Sequence, residues 1–409
     1  MSRLLVVMGS GETAPTMVKP HRAVFARSGG PAVLLDTPYG FQSNADDISA
    51  RAVRYFDQSV GRAVSVVSWR QPPDDPVTRE RALAELREAG WVFAGPGSPT
   101  YTLRQWRDTA IPELLADKLT RAGVVLFASA AALTLGTHTV PVYEIYKAGI
   151  APHWADGLNL IEAAIGFPAV LIPHYDNAEG GNHDTRFCYL GAERLSYLEA
   201  LLPPGQLIIG VDEHTAVVFD LDAKTATVSG NGVLTLRRSG VSAVFPAGSV
   251  LSFGDLAAGP SAAPPAPPAD VAAPVVAAPS LRGAADELDA AFAAALAARD
   301  VDTCVATMLE LEQAIVDWSG DTETNDGADH PRSILRGMVV RLGELARRGA
   351  ADPAESVGPF VSALVELRAQ ARLNHDYATS DAVRDRLAAA GVELRDTPDG
   401  TIWHLTTPG

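Results

Sequence analysis

Two cysteines in 409 residues, Cys188 and Cys304, are too few and too far apart to suggest a disulfide framework or a zinc site. No apolar run reaches the roughly 18 residues that a membrane-spanning helix needs, so no membrane association is expected. Met1-Ser2-Arg3 passes directly into Leu4-Leu5-Val6-Val7 without the layout of a secretory leader, which reads as a cytoplasmic protein. Positive charge is scarce: 33 Lys and Arg stand against 49 Asp and Glu, a formal net charge of -16, which argues against a large electrostatic affinity for nucleic acid or anionic lipid. Much of that excess lies late in the chain, where residues 281–409 carry 22 acidic side chains, 12 arginines and no lysine. No internal repeat is visible, and nothing implies a cofactor or a metal.

What is present divides in two. Residues 257–280 are almost wholly Ala, Pro and Val, too poor in backbone donors and large side chains to form a core, and read as a semi-extended linker between residues 1–256 and 281–409. Before it, strand-like runs at Leu4–Val7, Val33–Leu35, Val64–Val67, Trp91–Ala94 and Val124–Phe127 alternate with helical stretches near 43–58, 78–89 and 110–122. Val170–Ile172 and a helix around 190–201 follow. Closely spaced runs from Leu207 to Phe245 then suggest an antiparallel edge. The fold class is therefore α/β, a mostly parallel sheet sandwiched by helices with an antiparallel edge, followed by a separate small all-α domain. In that second domain Leu288, Phe292 and Leu296, then Val305, Leu309 and Ile315, then Ile334–Leu345 and Pro359–Arg372, recur at helical spacing. A loop is expected at Ser319–Asp329.

Candidate chemistry gathers at strand ends. In Val124-Val125-Leu126-Phe127-Ala128-Ser129-Ala130-Ala131-Ala132, four apolar residues run into a hydroxyl and then into small, helix-forming residues, the pattern of a strained strand-to-helix elbow that exposes a serine. Ala94-Gly95-Pro96-Gly97-Ser98-Pro99 follows another strand, and the amide of Gly97 or Ser98 is the candidate donor to an oxyanion because the prolines have none. His174, in Pro173-His174-Tyr175-Asp176-Asn177, follows a further strand and is expected at the same sheet edge as a base for Ser129. Either Glu213 or Glu144 is placed to orient it.

With these residues in place, the first 256 residues resemble the cyanophycinase and dipeptidase E family of serine peptidases, whose fold is like that of the class I glutamine amidotransferases. The resemblance is carried by Ala94-Gly95-Pro96-Gly97, the elbow around Ser129, Pro173-His174-Tyr175 with Asn177, Glu179-Gly180, Arg186, and Gly210–Ala216. It implies Ser129 as nucleophile, His174 as base and Glu213 as the orienting acid, with Glu144 standing where the dipeptidase branch has an acid. The amide of Ala130 would join Gly97 or Ser98 in the oxyanion hole. The family's substrates carry aspartyl or β-aspartyl linkages, so Arg186 or Arg194 is expected to pair with a substrate carboxylate. The chain departs from the family elbow, Gly-x-Ser-Ala-Gly-Ala, at Phe127 and Ala131. Phe127 is expected to crowd the approach to Oγ or fill part of the pocket.

Residues 369–403, from Ala369-Gln370-Ala371-Arg372 through Asp376-Tyr377-Ala378 and Asp396-Thr397-Pro398-Asp399-Gly400-Thr401-Ile402-Trp403, resemble the C-terminal end of cysteinyl-tRNA synthetase. Two helices closing at Gly391, and a turn around Pro398-Asp399-Gly400, agree with that. The synthetase's ATP-handling and zinc-binding segments have no counterpart, so aminoacylation by this chain alone is excluded. Two functional readings stand. One is a serine hydrolase acting on an amide, isopeptide or related acyl linkage of a peptide or acyl substrate, with a tail that docks tRNA or a protein. The other is a catalytically inactive binding protein of the tRNA or cysteinyl-tRNA pathway. The acidic balance of the tail favours a protein partner or a homodimer over tRNA.

Overall fold

The structure is a computed structural model that describes residues 2–178, 183–260, 280–320, 329–349, 353–397 and 400–406. Glu179-Gly180, residues 261–279 of the expected linker, residues 321–328 of the expected loop and Pro398-Asp399 lie outside the described residues. The chain divides into two compact units, Met1–Leu281 with Ala314–Ala328, and Arg282–Gln313 with Asp329–Gly409. Among the described residues no helix is long and apolar enough to cross a membrane.

In the first unit the β-branched runs become strands β1 (Arg3–Met8), β2 (Ala32–Leu35), β3 (Ser65–Val67), β4 (Trp91–Ala94) and β5 (Gly123–Ala128). All five are parallel, in the order β1-β5-β4-β2-β3. Period-two alternation gives the sheet its two apolar faces. Leu5, Val7, Val92, Val125 and Phe127 pack on one side, and Leu4, Val6, Phe93, Val124 and Leu126 on the other. Helices Ala45–Arg54, Pro76–Glu88 and Ile111–Thr120 fall within or across the expected helical stretches.

The later strands do not simply extend this sheet. After a two-residue ladder of β6 (His138–Thr139) and β7 (Ala155–Asp156), β8 (Ala169–Ile172) and β9 (Leu207–Val211) pair in parallel and begin a second sheet. The chain then returns to the first sheet as β10 (Thr215–Asp220), antiparallel to β1, and β11 (Thr225–Gly230). β12 (Val233–Arg238) and β13 (Val241–Pro246) complete the second sheet in the order β13-β12-β9-β8, and β14 (Val250–Ser252) closes the edge of the first beside β11. The expected antiparallel strands all form, but they are shared between two sheets. The link Asp212–His214 is where the chain steps from one sheet to the other.

The second unit contains helices Leu281–Ala297, Val301–Asp317, Asp329–Arg348, Pro353–Leu373 and Tyr377–Ala389, of which the first two run across the division between units. The fourth starts six residues before Pro359, the expected start, and carries that proline inside it. Gly391, in the left-handed region at φ 82°, ends the last helix. Two antiparallel strands, β15 (Val392–Thr397) and β16 (Gly400–Leu405), then add a hairpin to the helices. Val361, Leu387, Val392 and Leu394 form its core, with Val365, Val383 and Trp403 packed against them.

One buried group ties the loop after β1 to the core. His21 is inaccessible to solvent and edge-on to Phe56 at 5.0 Å, and its Nε2–H donates to the Glu12 carbonyl at 2.7 Å. Burial lowers its pKa to about 4, outweighing the hydrogen bond. The unfolded chain takes up this proton near pH 6.5 and the folded chain only near pH 4. The stability it confers is therefore complete above pH 6.5 and lost as the pH falls towards 4, on the order of 3 kcal/mol in all. Urea titrations at pH 7 and 4.5 should show a smaller acid loss in His21→Leu than in the parent; equal losses would contradict this.

Candidate active site

The elbow forms because β5 stops at Ala128, in extended conformation, and Ser129 turns at once into the left-handed region at φ 48° to start the helix Ser129–Leu133. Such a conformation costs a non-glycine residue about 1–3 kcal/mol and persists only where the surroundings hold it. They do so here through Ala131, whose amide donates to the Gly95 carbonyl at 3.2 Å, and through the packing of Ala130, Ala131 and Ala132. Ala131 stays at negative φ, so the missing glycine is no obstacle. Phe127 does not crowd Oγ. Its ring lies wholly in the core, 5.6 Å from Trp106, and lines no part of the cavity beside Ser129. Ser129, two residues further on, does line that cavity.

His174 follows β8, which lies in the second sheet and not the first as expected, yet it reaches the serine. Its backbone is also left-handed, φ 48°. Ser129 Oγ and His174 Nε2 are 2.9 Å apart, and His174 Nδ1 lies 2.8 Å from Glu213 Oε1. Because a carboxylate only accepts, the ring that satisfies both contacts carries its proton on Nδ1 and leaves Nε2 to accept from the serine. Ser129 and His174 are both buried. Glu213 lies in the link between β9 and β10, where Asn177 Nδ2 donates to the same Oε1 at 3.0 Å and the Glu213 amide donates to Asp176 Oδ1 at 2.8 Å. Burial pushes the Glu213 carboxyl up, but the hydrogen bonds from His174 and Asn177 outweigh it and hold the group below its ordinary range.

Glu144 is not brought to the histidine. Its Oε1 accepts from Thr100 Oγ1 at 2.6 Å, tying the helix Val142–Tyr146 to the segment after the glycine loop. In that loop Gly97 has φ 137°, and a Cβ there would stand 2.0 Å from the Pro38 carbonyl oxygen, so only glycine fits. The Ser98 amide is already spent on Pro38 O at 2.8 Å, and Ser98 Oγ caps the next helix by accepting from Tyr101 N. Ser98 therefore cannot serve an oxyanion as the sequence suggested. Gly97 and Ala130 do line the cavity, and Ala130, in the first turn of its helix, has no intrahelical acceptor for its amide. Arg186 and Arg194 do not line it. Arg186 is paired through Nε and Nη2 with Asp184, each at 2.8 Å, and Arg194 is exposed on the helix Gly191–Ala200.

The cavity, about 400 Å³, is also lined by residues that pattern reading did not single out, among them Tyr143, Tyr146, Lys147 and Tyr189. Their sequence neighbourhoods carry no motif, and only the fold brings them to Ser129.

No family model matches the chain. Among solved structures, a crystal structure of a peptidase from an acI-B1 Actinobacterium aligns with a TM-score of 0.51 and 19% identity, over 62% of this chain and 98% of that one. The N-terminal part therefore shares the fold of that peptidase, in line with the α/β fold expected for it. For the tail, a cysteine–tRNA ligase of Chlorobium luteolum is 49% identical over 70 residues, 17% of this chain and 14% of the ligase. One from Nitratidesulfovibrio vulgaris is 33% identical over 120 residues, 25% of this chain and 24% of the ligase. The chain therefore spans a quarter or less of the length of these curated relatives.

The tail segment from Arg368 to Thr401 has a structural task in this chain. Arg368, almost wholly buried, donates to both oxygens of Asp396 at 2.8 and 2.9 Å; Arg372 and Thr401 complete the set around the same carboxylate at 2.9 and 2.8 Å. These contacts hold Asp396 far below the usual carboxylate range and fasten the hairpin to the helix.

A further acid flanks the site. Asp212 is buried beside Asp176 and Glu213, and burial, followed by the charge of Asp176, raises its pKa to about 7. Since this lies above the unfolded value of 3.8, its contribution favours folding at low pH and is lost as the pH rises through 7. Asp212→Asn keeps an acceptor for the Val233 amide. It should leave stability nearly unchanged near pH 3.5, and raise it by about 2 kcal/mol at pH 5.5 and by about 4 kcal/mol at pH 8.5, in denaturant titrations. No gain at the higher pH would refute the assignment.

Proposed function

We propose that the first unit is a serine hydrolase acting on an amide, isopeptide or related acyl linkage. The observation that carries this reading is the unbroken line Ser129 Oγ, His174 Nε2, His174 Nδ1, Glu213 Oε1, with hydrogen-bond spacing at each step and the serine on a strained elbow beside a cavity. As His174 Nε2 takes the hydroxyl proton, Ser129 Oγ bonds to the acyl carbon, and the carbonyl π electrons move onto oxygen. The amides of Gly97 and Ala130 receive that oxyanion. Glu213 stabilises the imidazolium without taking its proton. When the C–N bond breaks, the proton passes from Nε2 to the leaving amine, and an acyl-enzyme remains. Water then repeats the sequence: His174 takes its proton, the acyl carbon gains the hydroxyl, and Ser129 recovers a proton as the acid leaves. Neither a metal nor a cofactor enters any step.

For the chain as a whole we propose a hydrolase domain at residues 1–256, a linker at 257–280 and a docking domain at 281–409. A protein partner is favoured over tRNA, because the tail has ten more acids than arginines and two of those arginines are committed to Asp396. The similarity to cysteine–tRNA ligase supports tRNA as the second reading.

Labelling with a fluorophosphonate probe tests the hydrolase. Parent protein should be labelled at Ser129, Ser129→Ala should not, and His174→Ala should react at least about a hundredfold more slowly; labelling independent of Ser129 in a folded protein would sink the proposal. Titrating the full chain with bulk tRNA at 50 and 200 mM salt tests the tail. Little binding at either salt is expected, whereas strong binding that weakens steeply with salt would favour the tRNA reading.

A further inference from the structure

The family resemblance leads to the expectation of a carboxylate-bearing substrate, but the wall of the cavity has a different chemistry. No carboxylate and no arginine lines it among the described residues. Tyrosine rings do. Tyr189 lies 6.0 Å from the His174 ring, and Tyr146 lies 5.1 Å from Tyr189, so aromatic surface extends outward from the base without a break. Tyr39, Leu133 and Tyr143 line the same cavity. Lys147 is the one lining ammonium among the described residues. It is exposed and sits 5.1 Å over the Tyr146 ring, where water screens any ion pair it makes and the ring already engages its charge.

The backbone gives a second, independent observation. Phe187, Cys188 and Tyr189 occupy the left-handed region consecutively, at φ 61°, 56° and 63°. L-residues visit that region singly and at a cost, so three in a row persist only because the surroundings fix them. Main-chain bonds to the segment that carries His174 help to fix them. The Cys188 amide donates to the His174 carbonyl at 3.0 Å, and the Phe187 amide to the Tyr175 carbonyl at 3.0 Å. The same turn that holds the His174 segment therefore presents Tyr189 to the cavity.

We propose that Tyr189 and Tyr146 form a specificity subsite that takes an uncharged aromatic side chain on the acyl portion of the substrate, in place of an acidic one. This rests on the hydrolase reading and names its substrate class. An aromatic side chain would find offset or edge-on partners and lose water at no polar cost, whereas a carboxylate would be desolvated against rings with only a screened ammonium in reach.

Peptidyl diphenyl phosphonates test this. Ser129 Oγ bonds to phosphorus, its proton leaves by way of His174, and phenol departs, so the rate reports both the serine and the side chain next to the phosphorus. The reagent with a benzyl side chain should phosphonylate Ser129 about tenfold faster or more than the one with a carboxymethyl side chain. That ratio should fall several-fold in Tyr189→Ala and in Tyr146→Ala and return in Tyr189→Phe. Equal rates for the two reagents, a preference for carboxymethyl, or a ratio unmoved in both alanine variants would overturn the subsite while leaving the hydrolase intact. Failure of every reagent and of the small fluorophosphonate to modify Ser129 would remove both.

Discussion

Everything chemical in the first unit depends on Ser129 leaving β5 in a left-handed conformation. Phe127, two residues earlier, is wholly packed in the core, whereas Ser129 lines the cavity. The conformation is kept by neighbours on both sides: the Gly95 carbonyl accepts the Ala131 amide from one, and the core-packed alanines support the other. The small residues after the serine and the glycine loop after β4 are therefore one device. Each is needed for the other to sit so close.

The proposed base, His174, and its partner Glu213 are brought in by a different arrangement. β8 carries His174 and β9 leads into Glu213, and the two strands are parallel neighbours in the second sheet, so their carboxyl ends lie side by side. Directly after Glu213 the chain crosses into the first sheet as β10, which pairs with β1 next to β5. The crossing brings the two sheets together where Ser129 meets His174. Asp176 and Asn177, three residues or fewer beyond the base, hold the backbone and the carboxylate of Glu213, so one short turn serves both members of the pair.

Much of this was legible in the sequence. Buried strands announce themselves as β-branched runs, and a serine between such a run and a series of alanines reads as an elbow without any structure. The division into two sheets was not legible, because alternation says that a strand is buried and not which strand it pairs with. That Glu213, and not Glu144, meets His174 is a through-space contact that sequence order does not reveal, since both lie in plausible order. Phe127 was misread because it stands where the family elbow has glycine, whereas in this chain its ring packs in the core beside Trp106 and lines no part of the cavity. Ser98 failed for a similar reason: its amide looked available in sequence and is taken by Pro38, sixty residues earlier. Tyr146 and Tyr189 have no local signature and come together only when Ser129 and His174 do.

In the second unit Arg368 and Arg372 clasp Asp396. The guanidinium of Arg368 is buried, and its compensating carboxylate lies 28 positions further along. The strand that carries Asp396 also supplies Val392 and Leu394 to the core beside that helix, so the burial of this cation and its neutralisation depend on the same short segment.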